Sequence, residues 1–148
     1  MRIYLPLLAP DRPSLQDGRK VIDLDAGRAA WAVTAEARTD RPEQDEEDLE
    51  YEALQDAVHI AFTAAGSSER VLVIAADIPD GLVAAATEDG GAFGIRVRER
   101  RSAKIASFHV TEQSAAAADV DDTDPALLWF DAGEGRDALA FLGAAPIA

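Results

Sequence analysis

The sequence predicts an α+β domain: a mixed β-sheet of about five or six strands with one long amphipathic helix packed on a face. Three observations carry that expectation. From Pro42 to Gly66 apolar residues recur every three or four positions, the period of one helical stripe. A short turn later, residues 71–76 read Val-Leu-Val-Ile-Ala-Ala with no polar alternation, which predicts a central strand buried on both faces. Phe93, Ile95 and Val97 alternate with Gly94, Arg96 and Arg98, the period of two of a half-buried strand.

In chain order, residues 2–8 open a first strand through Ile3 and Leu5, interrupted by Pro6 and Pro10. Pro10, Pro13 and Gly18 bracket no more than a short helical turn, and residues 11–27 have no firm expectation beyond a short strand or irregular chain near 20–27. Residues 29–34 form a second strand, with Trp31 and Val33 on one face. The long helix then starts near Pro42, whose missing N–H is no loss in a first turn, with Asp40 or Thr39 as N-cap. Glu43 and the acidic residues 45–48 suit the positive end of the helix dipole. Tyr51, Leu54, Val58, Ala61, Phe62 and Ala65 make the packing face. Glu52, Gln55, Asp56, His59 and Thr63 face water, and Gly66 stops the helix as a C′ residue. At about 22 residues and about 1.5 Å per residue it spans ~33 Å. A helix leading into a buried strand is half of a βαβ unit, so a right-handed crossover from an earlier parallel strand is the topology to expect.

Beyond the central strand, residues 82–87 fit a strand or a helical turn equally, and 88–91 a turn. Residues 93–97 and 103–110 form an antiparallel hairpin across a polar link. Thr111 caps a short helix to Ala118, 119–124 is an acidic loop, and 127–130 is the last strand. Residues 137–142 make a closing helix, after which the tail from about 143 frays. With no repeat and no low-complexity linker, the 148 residues read as one domain.

Met1-Arg2-Ile3-Tyr4-Leu5-Pro6, Ala32-Val33-Thr34, the run from Glu46 to Leu54, the run from Arg70 to Pro79, and Leu128-Trp129-Phe130 occur together in this chain. In these segments it resembles a family of small acidic actinobacterial proteins of unknown function, over most of its length to about Ala132. The resemblance implies no activity and no site residues. The chain departs from the family between Asp11 and Asp25.

The formal charge is −14, from 28 acidic and 14 basic residues. Such a surface repels a phosphate backbone, which argues against sequence-independent nucleic-acid binding. There is no cysteine, so disulfides and thiolate metal sites are excluded and a reducing compartment fits. The first ten residues read as a strand and not a signal peptide, and no apolar run reaches a membrane span of ~18 residues. The expectation is a cytoplasmic protein without a membrane partner.

Four groupings are weighed as chemistry. Glu52, Asp56 and His59 stand at i, i+4 and i+7 and share a helical face, a spacing that can hold a divalent metal, but no third element offers a further ligand. A solvated face is the preferred reading, with no metal and no cofactor. Asp77 and Asp80 follow the central strand, where α/β sheets place ligands, and are the candidates for acid–base work; a turn cap at Pro79-Asp80-Gly81 explains Asp77 as well. Arg96, Arg98, Arg100, Arg101 and Lys104 suit an anion or an acidic partner, or neutralise the helix carboxylates within the fold or across a dimer. Gly90-Gly91-Ala92-Phe93-Gly94 lacks the GxxxxGK pattern of a phosphate loop and reads as a connector. No serine has a histidine that sequence alone pairs with it.

No motif carries a reaction. The first reading is a non-catalytic interaction or self-associating module, with a protein or a second copy as partner. The alternative is an enzyme or small-molecule or metal-binding domain with its site near Asp77. A pocket lined by Asp77 together with another carboxylate or His109 would favour the alternative.

Overall fold

A computed structural model describes residues 1–145, apart from the side chain of Asp89. The chain runs β1 (Arg2–Pro6), α1 (Arg12–Gln16), β2 (Val21–Leu24), β3 (Ala29–Ala32), α2 (Ala35–Asp40), α3 (Glu46–Ala64) and β4 (Leu72–Asp77). It continues through β5 (Val83–Ala85), α4 (Thr87–Gly90), β6 (Gly94–Val97), β7 (Arg101–Thr111), α5 (Ala115–Asp119), β8 (Leu127–Asp131) and α6 (Gly135–Gly143). The class is α+β as expected. The sheet, in the order β2-β7-β4-β1-β3-β6-β5 with β8 also paired to β7, holds eight strands among the described residues. The two or three additional strands are short. β2 and β5 lie in the stretches whose composition favoured no element, and pairing with β7 and β6 decides their conformation.

The sheet is not mixed: every ladder is antiparallel. The expected parallel neighbour of the central strand is displaced. β3 and β4 run in the same direction and are joined through the helices, but β1 lies between them and pairs antiparallel with both. The N-terminal strand thus splits the crossover, an arrangement that helix-then-strand order along the chain does not reveal. Nor do 93–97 and 103–110 form a hairpin: β6 pairs with β3 and β5, whereas β7 pairs with β4, β2 and β8. β4 and its neighbours are central, and its first five residues are buried.

Alternation sorts the strand side chains into two cores. Ile3, Leu5, Ile74, Ala76 and Phe108 face the side closed by α1 and α6. Tyr4, Trp31, Val73 and Ala75 face the side closed by α3. This two-sided covering is why the 71–76 run has no polar alternation.

The long helix is shorter than expected and rotated about its axis. Residues 35–40 form the separate α2, capped by Thr34, whose Oγ1 accepts from the Ala37 N–H at 3.0 Å. Pro42 lies in the link, and Asp45 caps α3 by accepting from the Asp48 N–H at 2.9 Å. Its C-cap is Ala65 in extended backbone, so Gly66 does not act as a left-handed C′ residue. The buried stripe is Leu49, Ala53, Leu54, Ala57 and Val58. Tyr51 is 49 % exposed, Phe62 half-buried, and Gln55 buried instead of facing water. Alanine at 53 and 57 lets the helix lie close to the sheet, and the bulky Tyr51 is turned to the rim where its hydroxyl donates to Asp124 at 3.0 Å.

The glycine-rich segment is a connector, as read. A Cβ on Gly94 would sit 2.5 Å from the Gly90 Cα and 2.8 Å from the Ala86 carbonyl oxygen, so only glycine allows α4 to fold back on β6. The expectation for the tail falls partly on 146–148, outside the described residues.

Candidate functional site

The sequence-predicted groupings disperse. Among the described residues the Asp77 side chain bonds across the sheet instead of capping a turn. It sits opposite Arg2 in the β1–β4 register, and its Oδ1 and Oδ2 accept from Arg2 Nε at 2.7 Å and Nη2 at 3.3 Å. Asp80 lies 3.2 Å from the N-terminal ammonium. Glu52 pairs with Arg41 at 2.9 Å and accepts from the Gln44 amide at 3.2 Å. Asp56 is half-buried, and that burial raises its carboxyl above the ordinary range, against the lowering influence of the exposed His59. Among the described residues no group of three or more His, Asp or Glu side chains is arranged to hold a metal ion.

The basic run is split by the fold, because β6 and β7 are separated in the sheet by β4, β1 and β3. Arg96 Nη1 donates to the Gly27 carbonyl at 2.9 Å and Arg98 Nε to the Val83 carbonyl at 3.0 Å. Arg100, Arg101 and Lys104 are exposed near β2. The carboxylates of α3 are met instead by Arg38, which bonds Glu46 through two nitrogens at 2.6 and 3.2 Å, and by Arg41. The polar connector before the helix, not the basic strand, neutralises the helix start.

Two features escaped the sequence. Ser107 and His109 lie two apart on one face of β7, with Ser107 Oγ 2.9 Å from His109 Nε2. The period of two in that strand is the signal that could have paired them. Burial, aided by the Arg2 charge, pulls the imidazole down to about 4 and keeps it neutral at pH 7. The distance suits a nucleophile and its base, but Ser107 is 5 % exposed and no acid orients the far ring nitrogen among the described residues. The pair reads as a hydrogen bond internal to the sheet face. Beside it, Tyr4, whose hydroxyl donates to Glu50 at 3.4 Å, is raised to about 12, chiefly by burial and then by the Glu50 charge.

The second feature is a cavity of about 760 Å³ at the opposite end of the central strand from Asp77. Its walls come from the end of β1 (Leu7, Leu8), the entry to β3 (Trp31), the last turns of α3 (Ile60, Ala64), the start of β4 and the end of α6. Ile60 and Leu8, 40 % and 46 % exposed, give it an apolar rim. Its charged lining is three arginines, Arg12, Arg28 and Arg70, against one glutamate, Glu69. That is a local excess of 3 − 1 = +2 in a chain of net charge −14.

Arg28 is fixed by Asp11 through Nη1–Oδ1 at 3.1 Å and Nη2–Oδ2 at 2.8 Å, and also donates to the Pro6 carbonyl at 3.0 Å. Arg70, 7 % exposed, donates from Nε to the Glu112 carbonyl at 3.1 Å and from Nη1 to the carbonyls of Phe141 and Ala144 at 2.9 and 3.0 Å. Its guanidinium stacks on the Phe141 ring, 4.0 Å from the centroid. Arg12 is exposed and has no ion pair among the described residues. No spacing announces the set, since 12, 28 and 70 meet only through the split crossover.

The family of unknown function DUF6912 matches residues 1–145, and the chain belongs to that family. Neither a curated protein nor a solved structure matches it.

Proposed function

We propose that this protein is a binding domain for a small, largely apolar molecule held in the cavity between the end of α3, the end of β1 and α6. The observation that supports it most is the cavity itself. At about 760 Å³ it falls within the range of roughly 300–1,000 Å³ typical of ligand sites. Apolar side chains form most of its wall and a few fixed polar groups are set among them, the usual composition of such a site. Placing the site here moves the ligand-binding alternative from the Asp77 end to the other end of the same strand. The test is binding of the neutral dye Nile red, read by fluorescence, to wild type and to Ala64→Trp, which fills the wall. Saturable one-site binding lost in the variant supports the reading; no saturable binding to wild type overturns it.

Self-association is a second reading, favoured by unpaired surface charge of both signs. Arg98, Arg100, Arg101 and Lys104 on one side, and Glu43, Glu47 and Asp48 on the other, are exposed and have no ion pair among the described residues. A twofold dimer would let each set meet the other twice. Such contacts are screened as the Debye length falls from about 10 Å at 0.1 M to about 3 Å at 1 M salt. Sedimentation should then show a dimer weakened by salt and by Arg98→Glu, and a monomer under all conditions removes this reading.

A further inference from the structure

We infer that the molecule held in the cavity carries an anionic head, a carboxylate on an apolar body, and that Arg70 and Arg12 receive it. This inference rests on the cavity reading above. Arg70 carries a full positive charge, is more than nine-tenths buried, and has no carboxylate within ion-pair distance among the described residues. A buried charge is costly unless paired. What surrounds it is three carbonyl oxygens and an aromatic face. Two of those carbonyls end α6, and a helix C-terminus is worth about half a negative charge. The balance is not closed by the fold.

The hydrogen-bond count points the same way. Nε and Nη1 are occupied, whereas Nη2 has no partner among the described residues, and Arg70 lines the cavity. An acceptor from a ligand would meet these donors at charge-assisted strength. Arg12, also on the wall and unpaired among the described residues, offers a whole guanidinium fork, the geometry that matches a carboxylate. Arg28 is already matched by Asp11 and serves to shape the wall. Glu69 lowers the local charge by one but forms no ion pair with these arginines among the described residues; its Oε1 accepts from the Gly66 N–H. The apolar walls then take the body of the molecule, so a medium-chain or aromatic acid fits where a free inorganic anion would leave them wet.

The test compares two competitors that differ only in the head: decanoate and decanol, each displacing Nile red from the full chain at pH 7.5. The expected result is a Kd for decanoate at least tenfold lower than for decanol, shrinking as salt is raised. Arg12→Gln, a surface change, should cut that preference at least threefold, and Arg70→Met should abolish it. Arg70→Met also loses the contacts to the end of α6, so if it does not fold, the wild-type comparison and Arg12→Gln decide. Equal displacement by the two competitors overturns the anionic head and leaves the cavity reading standing. Displacement by neither, with no saturable dye binding, overturns both. Inorganic phosphate competing as well as decanoate would also refute the inference, since it would show that the apolar body contributes nothing.

Discussion

Removing the carboxylate of Asp11 should be among the most damaging single changes to this fold, although Asp11 sits in a stretch where the sequence predicts no firm structure. The Asp11 and Arg28 side chains are 3 % and 10 % exposed and joined by two hydrogen bonds. Asp11 Oδ2 also accepts from the Leu8 N–H at 2.8 Å, and Arg28 reaches the Pro6 carbonyl at 3.0 Å. One carboxylate therefore ties the exit of β1, the start of α1 and the entry to β3. Asp11→Ala leaves a guanidinium with one carbonyl for company, and breaking a buried pair costs about 3–5 kcal/mol. Arg28 also lines the cavity, where water relieves part of that charge, so the lower end, about 3 kcal/mol, is the expectation. With a urea m-value of about 2 kcal/mol/M the midpoint should fall by roughly 1.5 M. Tryptophan fluorescence reports it, since Trp31 is 5 % exposed in the core. Replacing both partners, Asp11→Leu with Arg28→Met, should recover most of the loss, because no charge is left stranded. An Asp11→Ala midpoint within the ~0.5 kcal/mol of an ordinary surface change would refute the argument.

Two further outcomes follow from the positions of single side chains. Leu49, 2 % exposed on the buried face of α3, should cost about 2–5 kcal/mol as Leu49→Ala, whereas Tyr51→Ala should cost under about 1 kcal/mol; a reversed order in urea unfolding would mean the helix is rotated back to the face its periodicity suggested. His109 is pulled from 6.5 to about 4 in the folded state, so the unfolded chain binds more protons between those values, and stability is held above pH 6.5 and lost as pH falls toward 4. The full displacement would correspond to roughly 3 kcal/mol, and partial exposure of the ring brings the expectation to about 1–2 kcal/mol. His109→Gln keeps a partner for Ser107 and should flatten that part of the stability profile; a variant with the wild-type slope would place the pH dependence in other groups.

What was legible in the chain was whatever a single element states by itself. The 71–76 run needs two covered faces wherever its neighbours come from, and β4 has them. The alternation of Ile95 and Val97 with Arg96 likewise anticipates β6, but Phe93 falls before the strand and packs in the opposite core. Partner choice was not legible, because it is a property of pairs. β1 slips between β3 and β4, and no local pattern in either strand records that. The rotation of α3 was lost for a related reason. Tyr51 and Phe62 are large and apolar enough to set a periodicity, but close approach to the sheet selects Ala53 and Ala57. Size was read as burial where the fold used smallness.

The candidate site was illegible in a more instructive way. Five basic residues between 96 and 104 catch the eye because they are crowded in sequence, yet crowding along a strand spreads charge over an exposed surface. The arginines that matter to the cavity are isolated in sequence, one each at the start of α1, before β3 and before β4, and each is surrounded locally by residues of no distinctive chemistry. Antiparallel pairing brings the exit of β1 beside the entries of β3 and β4, so connections far apart in the chain must share one end of the sheet. Burial then separates their roles. Arg28 meets a carboxylate and becomes part of the scaffold, whereas Arg70, among the described residues, meets carbonyls and a ring but no carboxylate. The chain has twice as many acids as bases and Glu69 directly precedes Arg70, yet the Glu69 Oε1 accepts from the Gly66 N–H and forms no ion pair with the guanidinium among the described residues. That a buried arginine on a largely apolar cavity has no carboxylate within ion-pair distance among the described residues is the feature that the proposed anionic ligand would explain and that packing alone does not.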